Sequence, residues 1–462
     1  MLDQRTARDL VGSMAWPALK AEREELEKID RWYRFDHDRP HAPRQSTLEY
    51  RELVKRAQAP WGGLIVTAVA QALYVDGYRS PSETDDAAPW SWWQANGWDR
   101  RQTSTFRAAL AYGLAYATVL PGEDPMTGEA MPVMRGRSPR RMMAFYADPA
   151  DDDWPRYALQ ADPATVAGKP GWDLQLYDDT VIWRFQMKAD SDVPTFVEWR
   201  DHSIGICPVV RYANQLDLEG RSAGEVEPFI PLLARIDQTV FDRLVVQRFA
   251  SWKVRTIAGM AKPESVPQEE WDSSTDEKKL KLQVDGILVA EDPDTTFGVL
   301  DETPLSGFVE AATADLRQLA SVSQTPVHEM LGEMANLSAE ALAAARASLS
   351  AKVEERQNSF GESVEQQLRL AAYVMGDTAA AADRSAQVRW RDTNIRSLAQ
   401  AADALGKLAQ MLGVPVEVLW EKIPGWTQQD VDRAKTMAEQ GGSLEALMRQ
   451  LAAGHTSPSP AA

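Results

Sequence analysis

The chain has 462 residues, of which 50 are Lys or Arg and 68 are Asp or Glu, so its formal charge is −18 and its pI is near 4.9. Such a surface argues against holding nucleic acid by phosphate neutralisation, which needs clustered Lys and Arg. One cysteine, Cys207, excludes an intrachain disulfide and a cysteine-based zinc site within the chain, and suits a reducing compartment. Apolar residues make up 44%, ordinary for a chain with a packed core, and the length predicts about three domains. Met1 to Arg8 carries no apolar signal segment, and the apolar run Leu64–Leu73 is too short to cross a bilayer.

Leu10, Met14, Leu19, Leu26 and Ile29 recur at helical spacing among charges, so the first 60 residues read as mainly helical. A loop from His37 to Pro43 follows, then a short helix over Glu49–Ala57. Trp61 to Tyr74 reads as an apolar-rich helix, closed by Gly77 and a Ser80-Pro81 turn. Residues 104–120 read as a helix running into a strand. From 130 to 212 the period shifts to two, with strands at Leu174–Tyr177, Val181–Met187, Thr195–Trp199 and Val209–Tyr212, the first pair joined at Asp178-Asp179.

Helical spacing returns from Val226 through Phe229, Leu233, Ile236, Val240, Leu244 and Phe249 to Trp252. Residues 262–304 interrupt it with a Pro- and acid-rich block holding a strand-like pair, Leu280–Gln283 and Gly286–Val289. A second helix spans about Ser306–Ser323, and Thr325–Leu337 is a short connector. Ser338 is the expected N-cap of a long helix ending near Gly376, with Gly361 as a candidate kink. Residues 394–452 read as short helices broken by Gly413, Pro415, Pro424-Gly425 and Gly441-Gly442, and the tail from His455 as disordered.

Catalytic signatures are missing. No P-loop, no His-Glu-x-x-His zinc motif and no Gly-x-Ser-x-Gly elbow occurs, and the five histidines (His37, His41, His202, His328, His455) are dispersed. The carboxylates Asp148, Asp151, Asp152 and Asp153 could hold a divalent metal, but Pro149 and Pro155 beside them favour a solvated turn. Cys207, in Gly205-Ile206-Cys207-Pro208, reads as a small buried residue rather than a nucleophile. Trp90, Trp92, Trp93 and Trp98 suit either a domain core or a subunit contact.

The order of elements is informative: a long helix, an inserted β block, a second helix, a Pro/Gly connector, then a very long helix. It resembles the core of portal proteins of tailed bacteriophages, the long-tailed siphophage group above all. The residues that carry the resemblance are Gly205–Val210 with Asn214 and Gly220–Val226, Ser321–Pro326 with Leu331-Gly332, and Asn336–Ala341. Lys352–Gln357 with Phe360-Gly361, and Asp403–Leu408 through Pro415, continue it. It covers roughly residues 20–450.

The resemblance implies an α+β, predominantly α, subunit of a ring that is usually dodecameric, with neither catalytic residues nor a cofactor. Residues 1–225 and 338–392 would form the wing, 226–261 and 305–324 the stem helices, 262–304 the clip and 393–452 the crown. The tunnel loop, 325–337, would present Thr325, Pro326, His328, Glu329, Met330, Leu331, Glu333, Met334 and Asn336 to an axial channel. The clip would dock terminase and connector and line the channel with acid through Glu269, Glu270, Asp272, Asp276, Glu277, Asp285, Glu291, Asp292 and Asp294. Expected partners are double-stranded DNA, passing without sequence specificity, the major capsid protein, a scaffolding protein, the terminase large subunit and a head–tail connector, but no membrane. The ring would assemble in the host cytoplasm and sit at one capsid vertex of the virion. The readings that compete are a metal-dependent enzyme centred on Asp148–Asp153 and another head-assembly protein.

Overall fold

The computed structural model describes residues 2–38, 40, 48–80, 88–250, 255–258, 296–299, 304–332, 339–391, 398–423, 426 and 428–439. The architecture is α+β. Asp3 caps α1 (Gln4–Leu10), accepting the Thr6 N–H at 2.6 Å. A π-helical turn, Val11–Ala15, leads into α2 (Trp16–Tyr33). The wider turn shifts the helical register, so Met14, expected on the apolar face, is 41% exposed, while Leu19, Leu26 and Ile29 are buried.

Next come α3 (Leu48–Ala57), α4 (Trp61–Ala70), β1 (Val75–Arg79), α5 (Pro89–Ala95), α6 (Trp98–Tyr112) and β2 (Leu114–Glu123). Gly77, expected to close a helix, lies inside β1 instead. The strands β3 (Ala130–Arg137), β4 (Met142–Phe145), β5 (Tyr157–Val166), β6 (Lys169–Tyr177), β7 (Val181–Lys188), β8 (Thr195–Asp201) and β9 (Val209–Ala213) make up the antiparallel region expected from the two-residue period.

A 3-10 turn, Glu227–Phe229, precedes α7 (Ile230–Ala250). The helical reading of 226–261 is corrected here: Arg255–Ala258 is a strand, β10, paired antiparallel with β11 (Thr296–Val299). β-Branched Thr256 and Ile257 fit a pleated ladder better than another helical turn. Then follow α8 (Ser306–Val322), α9 (Val327–Leu331), α10 (Ala339–Val374), α11 (Thr378–Ala382), β12 (Gln387–Trp390), α12 (Leu398–Leu412), α13 (Val416–Trp420) and α14 (Gln428–Glu439). β12 closes a two-stranded ladder with β1, in which Gly77 sits opposite Arg389.

The chain divides into two compact units. The first comprises Met1–Asp38, Pro60–Leu233 and Arg317–Ala462. It holds a three-stranded sheet of order β3-β2-β9 and a five-stranded sheet of order β4-β5-β6-β7-β8. Its main core gathers α2, α4, α5, α6, β2, β9 and α10 around Trp93, Trp98, Phe106, Tyr212 and Phe360. Trp90, Trp93 and Trp98 are buried, with Trp93 and Trp98 rings 5.0 Å apart, so this cluster packs the interior and is not surface for a neighbour. A second core seats α1 and the start of α2 on β5, β6 and β7 through Leu159, Leu174, Trp183 and Phe185. A third, with Tyr116, Met142, Tyr177 and Val209, holds Cys207.

The Cys207 thiol is 2% exposed, points at the Tyr177 carbonyl at 3.7 Å, and burial pushes its pKa up. Protonated and covered, it is expected to resist a thiol reagent at pH 8 in the native chain and to react once the chain is unfolded. Native labelling as fast as that of the unfolded chain would contradict its burial.

The second unit comprises Arg39–Ala59 and Ala234–Leu316. Val54, Ala57 and Phe241 form its small core, flanked by Leu53, Leu244 and Val245. Arg235 pairs with Asp315 at 2.9 Å, joining α7 to α8 within it. The expected strand pair 280–289, the acidic clip residues Glu269 to Asp294, Trp252 and the C-terminal tail lie outside the described residues.

Candidate functional site

Three of the segments singled out in the sequence meet in the first unit, around one buried carboxylate. The approach to it is set by glycines. α6 ends at Gly113, whose φ is +89°, a left-handed backbone that favours glycine. A Cβ there would lie 2.1 Å from the Ser222 carbonyl oxygen, and one on Gly224 would lie 2.4 Å from that of Ala111. The two strands of chain can therefore cross in contact. Ser222 donates its hydroxyl to the Gly113 carbonyl at 2.7 Å, and the Glu225 N–H bonds the Leu110 carbonyl at 2.7 Å. These contacts fix Glu225 just before α7 begins.

The Glu225 side chain points inward, 6% exposed. Lys352 and Arg356, one helical turn apart on α10, reach it from one face of that helix. Lys352 Nζ lies 2.5 Å from Oε2 and Arg356 Nη2 3.0 Å from Oε1; these cationic side chains are 4% and 1% exposed. Arg356 Nε adds a second bond at 3.2 Å, and Asn214 Nδ2 donates to the same oxygen at 3.1 Å. Burial by itself raises the Glu225 pKa, but the Lys352 ammonium and Arg356 guanidinium outweigh it, and the net direction is down. The carboxylate is ionised at neutral pH and carries two buried cations.

Lys352 does a second thing. Its ammonium donates to the Ser323 carbonyl at 3.0 Å, where α8 ends. Ser323 Oγ in turn donates to Thr325 Oγ1 at 3.0 Å, and the Thr325 N–H bonds the Ala320 carbonyl. One charge cluster thus ties the entry to α7, the exit from α8 and the middle of α10. Local sequence does not mark these residues as buried: each reads as an ordinary surface charge. The i, i+4 pair Lys352/Arg356 in register with the apolar Val353 and Phe360 is the one signal that could have found them.

The connector after Thr325 is only partly a loop. Pro326 starts the short helix α9, and Gly332, at φ +67°, ends it. Thr325, Pro326 and Met330 are buried, and His328, Glu329 and Leu331 are half-buried. The first three thus pack within the subunit. Burial of the apolar Met330 is favourable, and the bond from Ser323 Oγ offsets the cost of burying the Thr325 hydroxyl. Glu329 accepts from Arg346 of α10 at 3.1 Å. Glu333, Met334 and Asn336 lie outside the described residues, as do the N-cap Ser338 and the clip acids. α10 continues through Gly361 as one helix; a Cβ there would touch Val388 of β12 at 3.4 Å.

The candidate metal cluster is a turn. Asp152 accepts the Ala147 and Asp148 N–H groups at 2.9 and 2.8 Å, and Asp148 accepts that of Ala150 at 3.0 Å. Among the described residues no group of three or more His, Cys, Asp or Glu is arranged to hold a metal ion. Nor is any described helix long and apolar enough to cross a membrane.

Comparison with known proteins gives the remaining findings. The sequence profile of the family "Phage portal protein, SPP1 Gp6-like" matches residues 15–443. The portal proteins of Mycobacterium phage L5 and Mycobacterium phage D29 are each 29% identical to the chain over 366 residues, spanning 75% of it and 71% of theirs. Two solved structures align over most of the chain at 12% identity. A chain from the virion of a native gene transfer agent particle has a TM-score of 0.44, covering 81% of this chain and 96% of that one. A chain from the neck of that particle type, computed with C12 symmetry, has 0.41, covering 82% and 91%. Those scores are too low to carry an argument.

Proposed function

The chain belongs to the SPP1 Gp6-like family of phage portal proteins, and from that membership we propose that it assembles into a dodecameric ring with an axial DNA channel. As a portal protein it is a structural part of the phage particle. In the proposed ring, double-stranded DNA passes on packaging and ejection without sequence readout. Wing, stem, clip, tunnel loop and crown fall at the residue ranges given above. The terminase large subunit and a head–tail connector dock on the clip, and capsid and scaffolding proteins contact the outside. The motor ATPase is a separate protein, in keeping with a sequence that carries no P-loop.

One observation supports this reading most: the buried Glu225–Lys352–Arg356 cluster joins the three chain segments that flank the stem and tunnel loop. A machine that transmits the passage of DNA needs those segments held in fixed relation. The charge pattern agrees. Residues 262–304 carry twelve acidic residues against four lysines, and Glu329 and Glu333 add to the tunnel loop. Each cation set against a phosphate adds salt-dependent affinity, and DNA held tightly cannot slide.

The test is DNA retention by purified rings. Glu329→Lys/Glu333→Lys rings are expected to retain duplex more strongly than wild type, with the logarithmic salt slope steeper by about 0.9 for each phosphate neutralised. Equal retention at all salt concentrations would remove the acidic-lining reading.

A further inference from the structure

The surplus of acid makes one face of the first unit conspicuous. α6 and β3 pack side by side there, with Trp98 Nε1 donating to the Met134 carbonyl at 3.3 Å. Arg101, Ser104 and Thr105 from the helix meet Arg135, Arg137 and Ser138 from the strand and its end around a concavity of about 550 Å³. Gly136 forms its floor: a Cβ there would lie 2.6 Å from Thr105 Oγ1, so a side chain would push the elements apart. Arg135 and Arg137 also border a second concavity of about 390 Å³, which Arg200 joins. The carboxylates in that one, Asp173 and Glu198, are both engaged by Arg184, at 2.9 and 2.8 Å.

Arg101 and Arg200 reach only carbonyl oxygens, of Met134 at 3.4 Å and Pro121 at 3.5 Å. Among the described residues none of Arg101, Arg135, Arg137 and Arg200 has a carboxylate within ion-pair distance. In a chain with 18 more acidic than basic residues, four guanidiniums on one face are left without a counter-charge.

Copies that each carry −18 repel one another. A closed ring needs a heterologous contact, one face of a copy against a different face of the next, and repulsion is overcome only where the two are locally complementary. Guanidinium forks match carboxylates in two-point contacts. We propose that this α6–β3 arginine face is the positive half of the contact between adjacent copies and takes carboxylate side chains from the next copy. The proposal rests on the ring reading above. DNA phosphate is the weaker occupant, because a duplex on this face would lie against the acidic remainder of the chain. A neighbouring copy supplies carboxylates from that same surplus at the points of contact.

The experiment compares wild type, Arg101→Lys/Arg135→Lys/Arg137→Lys and Arg101→Glu/Arg135→Glu/Arg137→Glu by sedimentation velocity and negative-stain microscopy. Wild type is expected to form rings, and the Lys variant, which keeps the charge but loses the two-point fork, to form them in smaller yield than wild type but larger than the Glu variant. The Glu variant is expected to sediment as a monomer with the native circular-dichroism spectrum, its ring fraction at least tenfold lower. If the Glu variant loses the native spectrum, the Gln variant at the same positions carries the test, since it removes charge without adding repulsion. Glu- or Gln-variant rings as abundant as wild type overturn the proposal. So do variant rings that form normally but retain less DNA, which would assign the face to phosphate. A wild type that forms no rings fails the ring reading itself and is told apart on that ground.

Discussion

Glu225→Gln is expected to destabilise the first unit by about 3–5 kcal/mol, measured by denaturant unfolding at pH 7. The substitution keeps the size of the side chain and removes its charge. Lys352 and Arg356, 4% and 1% exposed, are then buried without an opposing carboxylate, and breaking a buried pair costs far more than making it contributes. The pH dependence has a definite sign. The folded-state pKa of Glu225 is depressed from its ordinary value of 4.5. Its stabilisation is therefore complete above about 4.5 and is lost as pH falls through the lower folded value. Wild type is expected to lose this share of stability in acid, and Glu225→Gln to show a correspondingly flatter acid limb. A loss below 1 kcal/mol at pH 7, with an unchanged acid limb, would mean that the carboxylate does not hold the cluster.

Phe360→Ala is expected to cost about 3–5 kcal/mol by the same measurement. The ring is fully buried on α10 and stacks on Phe106 of α6, with centroids 5.2 Å apart and planes 1° from parallel. Tyr212 of β9 lies 6.4 Å away, so the deletion opens a cavity where α6, β9 and α10 meet. These neighbours are held from three separate elements and cannot collapse far into the void, which places the cost at the upper end for aromatic truncations. Phe360→Leu is expected to recover more than half of it by refilling the site. Equal losses for Ala and Leu would point to a role other than filling volume.

The parts of the fold legible from the sequence are those with a strong local period. α7, α8 and α10 carry apolar residues at helical spacing, and β6 and β7 alternate around the Asp178-Asp179 turn, so their existence follows from nearest neighbours alone. β1 was hidden because Gly77 reads as punctuation, while its ladder is made with β12, more than 300 residues further on. β10 was hidden because an apolar helical pattern runs into it without a break. The tryptophans of α5 and α6 show the limit of composition: the same residues suit a core and an interface, and only packing decides. The charge cluster was the least visible part of the site. Glu225, Lys352 and Arg356 are charged residues in polar surroundings of sequence, and they become a unit only when α6, α8 and α10 bring them together. The burial of Thr325, Pro326 and Met330 is set by α9, a five-residue helix too short to carry a period of its own.

The ring proposed for this chain has a hole through it. Electron microscopy of the purified full-length protein, with two-dimensional averaging of end-on views, measures that directly. The predicted result is closed rings of uniform symmetry, twelvefold by the family expectation, around a stain-filled channel. Compact monomers or dimers without a central opening, under conditions where the chain is folded, would contradict it.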